Sequence, residues 1–238
     1  MNGPQQLARP LAQRVAELPD AAAPSGEDNP LPETVQQAAF EALARGETHY
    51  TDRPGILPLR KQAVNWLGSH YGLELGADEV TITCGATEAR FVALKQLVAP
   101  GKHVLALSSS HYIEAAAQLL GLSLRQQVDD FSGIGVVYLT AADDPELVRQ
   151  VLDQAATTDC WILWDTSVAP AAGLHPAHHP DLTGRVISIG SFSDALPGWR
   201  VGWMAGSKVA NKLRAYKQSM TICSTSISQW AALGLAEL

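Results

Sequence analysis

Two hydroxyl side chains and an arginine flank a turn between residues 190 and 202, and together they could bind an oxyanion. Ser191 and Ser193 follow a short β-branched strand, and Arg200 comes after a turn that contains a proline and a glycine. Hydroxyl groups donate hydrogen bonds to anionic oxygens, and a guanidinium can hold a phosphate through two parallel bonds. The segment therefore predicts a small anion pocket. The alternative is a surface turn with a structural arginine.

A second anion-binding pattern comes earlier in the chain. A predicted strand at 80–84 is followed by Gly85, Ala86 and Thr87, which open a predicted helix. The first N–H groups of a helix lack carbonyl partners, and its N-terminus carries a partial positive charge, so this position favours an anion. The alternative is an ordinary connection between a strand and a helix.

A carboxylate and three histidines complete the candidate residues. Asp165 ends the apolar run 161–165, and ligands of open α/β sheets bind at the carboxyl ends of the strands; the alternative is an Asx turn that starts a loop. His175, His178 and His179 lie among prolines with no carboxylate or cysteine at metal-ligand spacing. We interpret them as a solvated loop rather than a metal site.

Alternating strands and helices must position these residues. The pattern predicts a three-layer αβα fold with a mostly parallel, doubly wound sheet and helices on both faces. The predicted strands are 80–84, 103–107, 122–128, 135–139, 161–165, 186–189 with a break at Gly190, and 201–206. The predicted helices are 31–45, one through 59–67, 85–98, one through Leu120, 145–156 with Asp144 as N-cap, 207–218 capped by Ser207, and 228–238.

Composition limits the partners and the location. The 238 residues have a net charge of −7 and no basic run, which argues against nucleic acid and anionic membranes as partners. Three cysteines far apart in sequence favour a reducing compartment over a disulfide framework. No apolar run approaches the ~18 residues of a membrane span, and no signal peptide is evident. We therefore expect a cytoplasmic protein.

Residues 186–206 resemble the lysine-loop motif of the fold-type-I pyridoxal-phosphate-dependent aminotransferases of class I/II. The matches to its Ser-x-Ser and Gly-x-Arg-x-Gly elements are Ser191 to Ser193 and Gly198 to Gly202. Other motifs of the family follow in the same order, and the resemblance covers about residues 26–238. They are the Tyr-x4-Gly-x3-Leu-Arg pattern from Tyr50 to Arg60, Gly-Ala-Thr at 85–87, the aromatic Tyr112 and the carboxylate Asp165.

The resemblance implies a role for each matched residue. The phosphate of pyridoxal or pyridoxamine phosphate would contact Ala86, Thr87, Ser191, Ser193 and Arg200. Tyr112 would stack on the pyridine ring, and Asp165 would pair with the ring nitrogen. Tyr50 would reach the cofactor phosphate of a partner subunit, which implies a homodimer, with a heterodimer as an alternative. The chain would divide into an N-terminal arm at 1–30 and an aminotransferase-like large domain at 31–238.

The sequence departs from the family at the residue that defines its chemistry. Asp194 stands where the family has its Schiff-base lysine, and a carboxylate cannot form an imine. Val168 replaces a family tyrosine, the asparagine expected near 140–145 is missing, and the C-terminal small domain is missing as well. Asp194 is the one candidate catalytic residue, as a base.

Three hypotheses follow from this combination. The first is an aminotransferase-family domain that retains a non-covalent cofactor pocket, with transaminase activity lost or altered. The second is a non-catalytic partner or regulatory subunit that uses the family's dimer interface. The third is a truncated, non-functional gene product. Whether the chain is an enzyme stays open at this point, and the sequence names no substrate.

Overall fold

The structure is a computed structural model that describes residues 31–107, 111–168, 175–192, 196–206 and 208–235. Residues Pro32–Leu238 form one compact unit, separate from the segment that precedes it. The predicted arm at 1–30 lies outside the described residues. Everything below therefore concerns this compact unit, which carries the sheet and its helices.

Seven helices and seven strands make up the described part of the chain. The helices are α1 (Glu33–Ala44), α2 (Leu57–Tyr71), α3 (Gly85–Leu97), α4 (His111–Leu119), α5 (Pro145–Ala156), α6 (Ala210–Thr221) and α7 (Ser226–Ala232). The strands are β1 (Val80–Thr83), β2 (His103–Ala106), β3 (Leu124–Arg125), β4 (Ile134–Thr140), β5 (Trp161–Asp165), β6 (Val186–Ser191) and β7 (Gly202–Ala205). The longest of these helices has 15 residues, and none is long and apolar enough to cross a bilayer.

The strands form one sheet in the order β1-β7-β6-β5-β4-β2-β3. The five strands from β6 to β3 in that order are parallel, whereas β7 runs antiparallel to both β1 and β6. The parallel part brings the carboxyl ends of β4, β5 and β6 to one edge of the sheet. The prediction of a mostly parallel α/β sheet is confirmed.

Helices cover both faces of the sheet, because alternate strand residues point to opposite sides. On β4, Val136 and Tyr138 belong to a core that includes residues of α3, α4 and α6. Their neighbours Val137 and Leu139 belong to a second core that includes the apolar face of α5. Burying one such apolar side chain completely contributes about 1.5–3 kcal/mol to the free energy of unfolding. The two cores fix β4 and β5 between layers and so hold the carboxyl edge in place.

Helix α5 has the bounds that the sequence predicts. Asp144 caps it, with its Oδ1 accepting from the N–H groups of Glu146 at 3.1 Å and Leu147 at 2.9 Å. At the other end, the Arg185 guanidinium donates to the carbonyl oxygens of Ala156 and Thr158. Side-chain donors of this kind satisfy the carbonyls that a helix end leaves free. Arg185 thereby ties the end of α5 to the start of β6.

Four elements differ most from the sequence-based expectation. The predicted break at Gly190 is wrong, because β6 continues through it to Ser191. A Cβ on Gly190 would lie 2.0 Å from Cζ2 of Trp203, so glycine is needed for the close approach of β7 rather than for a turn. The strand predicted at 122–128 has only two residues. The last two helices are also displaced, since α6 begins at Ala210 and α7 spans Ser226–Ala232.

Candidate active site

The start of α3 provides the first half of the site. Gly85 has a φ of +74°, which a residue with a side chain rarely adopts. The Cys84 N–H donates to the Glu88 carboxylate at 2.6 Å, which fixes the first turn of the helix. Ala86 is buried and Thr87 is exposed, so Thr87 is the solvent-accessible residue of this first turn. This geometry suits an anion.

Arg200 packs directly against this helix start. Its Nη2 donates to the Thr87 Oγ1 at 3.4 Å, and a Cβ on Gly85 would lie 2.4 Å from that nitrogen. Arg200 itself has a φ of +53°, a conformation that costs a non-glycine residue energy and that clusters at functional sites. The structure therefore places a guanidinium beside the N-terminus of α3, two groups that both attract anions.

Ser191 lies next to these groups at the end of β6. It pairs in the sheet with Gly202, and a Cβ on Gly202 would lie 2.6 Å from the Gly85 carbonyl carbon. The Ser191 hydroxyl donates to the Val201 carbonyl at 3.4 Å. The predicted residues Ser193 and Asp194 lie outside the described residues, so their predicted roles stay predictions.

Asp165 forms the second half of the site at the end of β5, where its side chain is fully buried. Its Oδ2 accepts from Arg90 Nε at 2.5 Å and from the Tyr138 hydroxyl at 2.8 Å. Its Oδ1 accepts from the backbone N–H of Ser167 at 3.0 Å and from the Ser167 hydroxyl at 2.6 Å. A carboxylate has about four acceptor positions. All four have donors from the chain itself.

Arg90 and Tyr138 are site residues that the sequence did not reveal. Burial acts to lower the pKa of Arg90, but the adjacent Asp165 carboxylate outweighs it and the pKa is raised, so the guanidinium stays charged. Burial, with the charge of Asp165, raises the pKa of the Tyr138 phenol. Tyr138 therefore stays neutral and donates a hydrogen bond to Asp165.

Tyr112 and Tyr50 lie in different surroundings. The Tyr112 ring is 41% exposed, and the Arg90 Cζ lies 5.7 Å from its centroid, within the range of a cation–π contact. Tyr50 lies between α1 and α2 with 80% of its surface exposed. Thus Tyr112 belongs to the Asp165 half of the site, while no hydrogen bond or ring contact within the described part of the chain joins Tyr50 to Thr87 or Arg200.

The sequence is similar to those of known aminotransferases. The model of the family "Aminotransferase class I and II" matches residues 21–127. The aspartate aminotransferase of Thermotoga maritima is 25% identical over 242 residues, covering 89% of this chain and 64% of that protein. The probable aspartate aminotransferase of Methanocaldococcus jannaschii is 26% identical, covering 87% of this chain and 64% of that protein. The chain is therefore similar to class I and II aminotransferases.

Solved structures of aminotransferases share the fold. The aromatic aminotransferase from Pyrococcus horikoshii superposes with a TM-score of 0.76 at 20% identity, over 94% of this chain and 69% of that one. The N-succinyldiaminopimelate aminotransferase from Mycobacterium tuberculosis gives a TM-score of 0.76 at 22% identity, over 96% and 68%. The chain thus has the α/β fold of the aminotransferases. It spans somewhat less than two thirds of the length of the two curated relatives.

The aminotransferase family implies pyridoxal phosphate, and the two halves of the site fit that molecule differently. The helix start at Gly85, the Thr87 hydroxyl and the Arg200 guanidinium suit its phosphate. The half of the site around Asp165, which would hold the pyridine ring, does not fit that ring in the present arrangement of side chains. Asp165 has no acceptor position left for a ring nitrogen, because Arg90, Tyr138 and Ser167 already donate to it.

The histidines near β6 differ from the prediction of a solvated loop. That interpretation is wrong for His175, which is only 2% exposed because it packs beside Tyr71 and Trp164. His178 is exposed but donates from Nε2 to the Tyr71 carbonyl at 2.7 Å, and His179 lies 3.2 Å from an Asp153 carboxylate oxygen. No group of three or more metal-ligating side chains occurs among the residues that the structure describes.

A buried ion pair supports the start of α3 from behind. Lys217 of α6 is fully buried, and its Nζ lies 3.8 Å from Oε2 of Glu88. Thr221 joins the pair, accepting from Lys217 at 3.0 Å and donating to Glu88 at 2.9 Å. Because Glu88 also accepts the Cys84 N–H, this network links α6 to the turn that presents Gly85.

Proposed function

We propose that this chain is an aminotransferase-family domain that binds pyridoxal or pyridoxamine phosphate reversibly through the phosphate group, with transaminase activity lost or altered. The observation that carries the proposal is the Arg200 guanidinium beside the Thr87 hydroxyl and the N-terminus of α3. Backbone N–H groups, a hydroxyl and a guanidinium are the donors that recognise phosphate. Ser191 and Ser193 would complete this set. Bound pyridoxal phosphate supplies an electron sink for amino-acid chemistry.

The residue at the lysine position supports the view that attachment is non-covalent. Asp194 has no amine, and its proposed role is that of a base. Of the lysines in the chain, Lys217 lies beside the phosphate half of the site, but its side chain is fully buried and bonded to Glu88 and Thr221. Borohydride treatment with excess pyridoxal phosphate should therefore leave the chain unmodified by mass spectrometry. A stoichiometric adduct on one lysine would contradict the proposal.

Equilibrium dialysis with pyridoxal phosphate and with inorganic phosphate tests the phosphate half. Arg200→Ala removes the guanidinium, and because one charge-assisted hydrogen bond is worth about 1.5 kcal/mol, we expect about tenfold weaker binding of both ligands. Arg149→Ala is the matched control, since Arg149 is an exposed residue of α5 that pairs with Glu146. Equal affinity of the Arg200 variant and the parent, or no binding at millimolar ligand, would refute the proposal.

A second candidate function is that of a non-catalytic partner subunit. It is supported by exposed apolar side chains on and after α1, with Phe40 67%, Leu43 50% and Tyr50 80% exposed. Apolar surface that is exposed on one chain is commonly covered by another copy or a partner. We propose a homodimer, with a heterodimer as the alternative. Sedimentation at micromolar concentration should give twice the chain mass, and a monodisperse monomer would count against this proposal.

The cysteines support the proposed cytoplasmic location. Cys84, Cys160 and Cys223 are all free thiols in the structure. Burial raises the pKa of the Cys160 thiol, which lowers its reactivity at neutral pH. Fractionation of cells that express the tagged chain should recover it with cytoplasmic markers, and recovery with periplasmic or secreted proteins would contradict this location.

A further inference from the structure

We propose that Arg90 occupies the ring-binding half of the pocket, so that a pyridine ring reaches Asp165 only after the guanidinium has moved away. This inference rests on the proposed function, because it concerns the same pocket. It begins with the acceptor positions of Asp165. Two are taken by Ser167, one by Tyr138 and one by Arg90. A protonated ring nitrogen can bond to this carboxylate only by replacing one of those donors.

Arg90 lies on the same side of α3 as the phosphate half. It follows Thr87 by three residues, and residues at that spacing are neighbours on a helix surface. The side chain reaches from there across to β5, with Nε 2.5 Å from Asp165 and Nη2 2.8 Å from the Ser167 hydroxyl. One face of α3 thus carries Thr87, which contacts Arg200, and Arg90, which contacts Asp165.

The contacts of the guanidinium match those that the family resemblance assigns to the ring. A pyridine ring would bond through its nitrogen to Asp165 and stack on Tyr112. The Arg90 guanidinium is also a flat, positively charged group, it bonds to Asp165, and its Cζ lies 5.7 Å from the centre of the Tyr112 ring. A pyridine ring that made both contacts would therefore need the position that the guanidinium holds.

Burial makes the guanidinium hard to displace. The Arg90 side chain is 11% exposed and the Asp165 side chain is fully buried. Hydrogen bonds between charged groups in such a setting are stronger than neutral ones, and a buried charge that loses its partner is costly. The ring therefore contributes little to the affinity of pyridoxal phosphate. We expect the unaltered protein to bind it about as tightly as inorganic phosphate.

The experiment compares two ligands on two proteins. Pyridoxal phosphate and inorganic phosphate are titrated into the unaltered chain and into Arg90→Met, whose side chain is apolar and of similar length. In the variant we expect pyridoxal phosphate to bind about ten- to a hundredfold more tightly, from one charge-assisted bond to Asp165, with phosphate affinity unchanged. Adding Asp165→Asn to Arg90→Met should remove the gain. Arg90→Lys, which keeps the charge, should show less gain than Arg90→Met.

The outcomes separate this inference from the proposed function. Circular dichroism establishes that each variant is folded before it is titrated. If Arg90→Met is unfolded, the test is the comparison of the two ligands on the unaltered chain. The inference is then overturned if the unaltered chain binds pyridoxal phosphate more than about tenfold more tightly than inorganic phosphate. Unchanged affinity for pyridoxal phosphate in a folded Arg90→Met also overturns it, while the proposed function stands. If neither ligand binds to either protein, the proposed function fails and the inference fails with it.

Discussion

The buried imidazole of His175 should make the free energy of unfolding depend on pH. His175 Nδ1 accepts the N–H of Ala177 at 3.1 Å, so the proton is on Nε2, which donates to the Ser188 hydroxyl at 3.0 Å. Burial, with a smaller effect of the nearby His178, lowers the pKa of His175 to about 3. The folded protein therefore holds this histidine neutral across the range in which the unfolded chain protonates it.

The size of the effect follows from the difference in bound protons. A histidine in the unfolded chain has a pKa of about 6.5. Between about pH 6.5 and pH 3 the unfolded state binds one more proton at His175, so stability falls as the pH falls, by about 1.4 kcal/mol per pH unit. At pH 5, His175 alone should reduce the free energy of unfolding by about 2 kcal/mol relative to pH 7. Above pH 7 this contribution is constant.

Urea unfolding between pH 5 and pH 7.5 measures this contribution. The parent is compared with His175→Gln, because groups that titrate in both proteins cancel in the difference. That difference should shrink by about 2 kcal/mol from pH 7 to pH 5, since the variant has no imidazole to protonate. His49→Gln is the control, because His49 is exposed. A pH-independent difference for His175→Gln, or an equal change in the control, would refute the reasoning.

Two further substitutions test contacts that hold the elements of the site in place. Lys217→Met leaves the Glu88 carboxylate buried without its cation and should lower the free energy of unfolding by about 3–5 kcal/mol in urea titrations. Lys61→Met, at an exposed position of α2, is the control and should change it little. Equal losses of stability in the two variants would contradict this prediction. Gly190→Ala places a Cβ against the indole of β7 and should cost about 1–3 kcal/mol or more by thermal unfolding, while Gly198→Ala, with open space around the new Cβ, should be nearly neutral. A tolerated Gly190→Ala would show that β7 can shift away.

Local signals explain why most elements could be predicted from the sequence. Asp144 and Pro145 mark the start of α5, and apolar spacing gives its length, so its predicted bounds agree with the structure. The antiparallel position of β7 between β1 and β6 is different. Strand order depends on contacts between distant segments, and nothing in the local pattern of 201–206 specifies its neighbours.

The residues of the candidate site also divide into those that local sequence signals predicted and those that depend on contacts between distant segments. Gly85, Thr87 and Arg200 were found because their types and spacing suit an anion. Arg90 and Tyr138 were missed, because an arginine within a helix ordinarily indicates an exposed face and a tyrosine in an apolar strand indicates core. Their link to Asp165 joins positions 75 and 27 residues apart. One available signal was the three-residue spacing from Thr87, which puts Arg90 on the face of α3 that carries the phosphate residues.

The pairing of β1 with β7 has a consequence for synthesis of the protein on the ribosome. The register aligns Thr83 with Gly202, and β7 is the strand that pairs with β1 in the described sheet. At about 5–20 residues per second, the roughly 120 intervening residues take about 6–24 s to be translated. The backbone N–H and C=O groups of β1 that pair with β7 are unpaired throughout that interval, and we expect nascent chains of this length to bind chaperones. Ribosome-bound chains stalled before Gly202 should therefore bind chaperones more than chains stalled after β7 has emerged, and equal binding would contradict this reasoning.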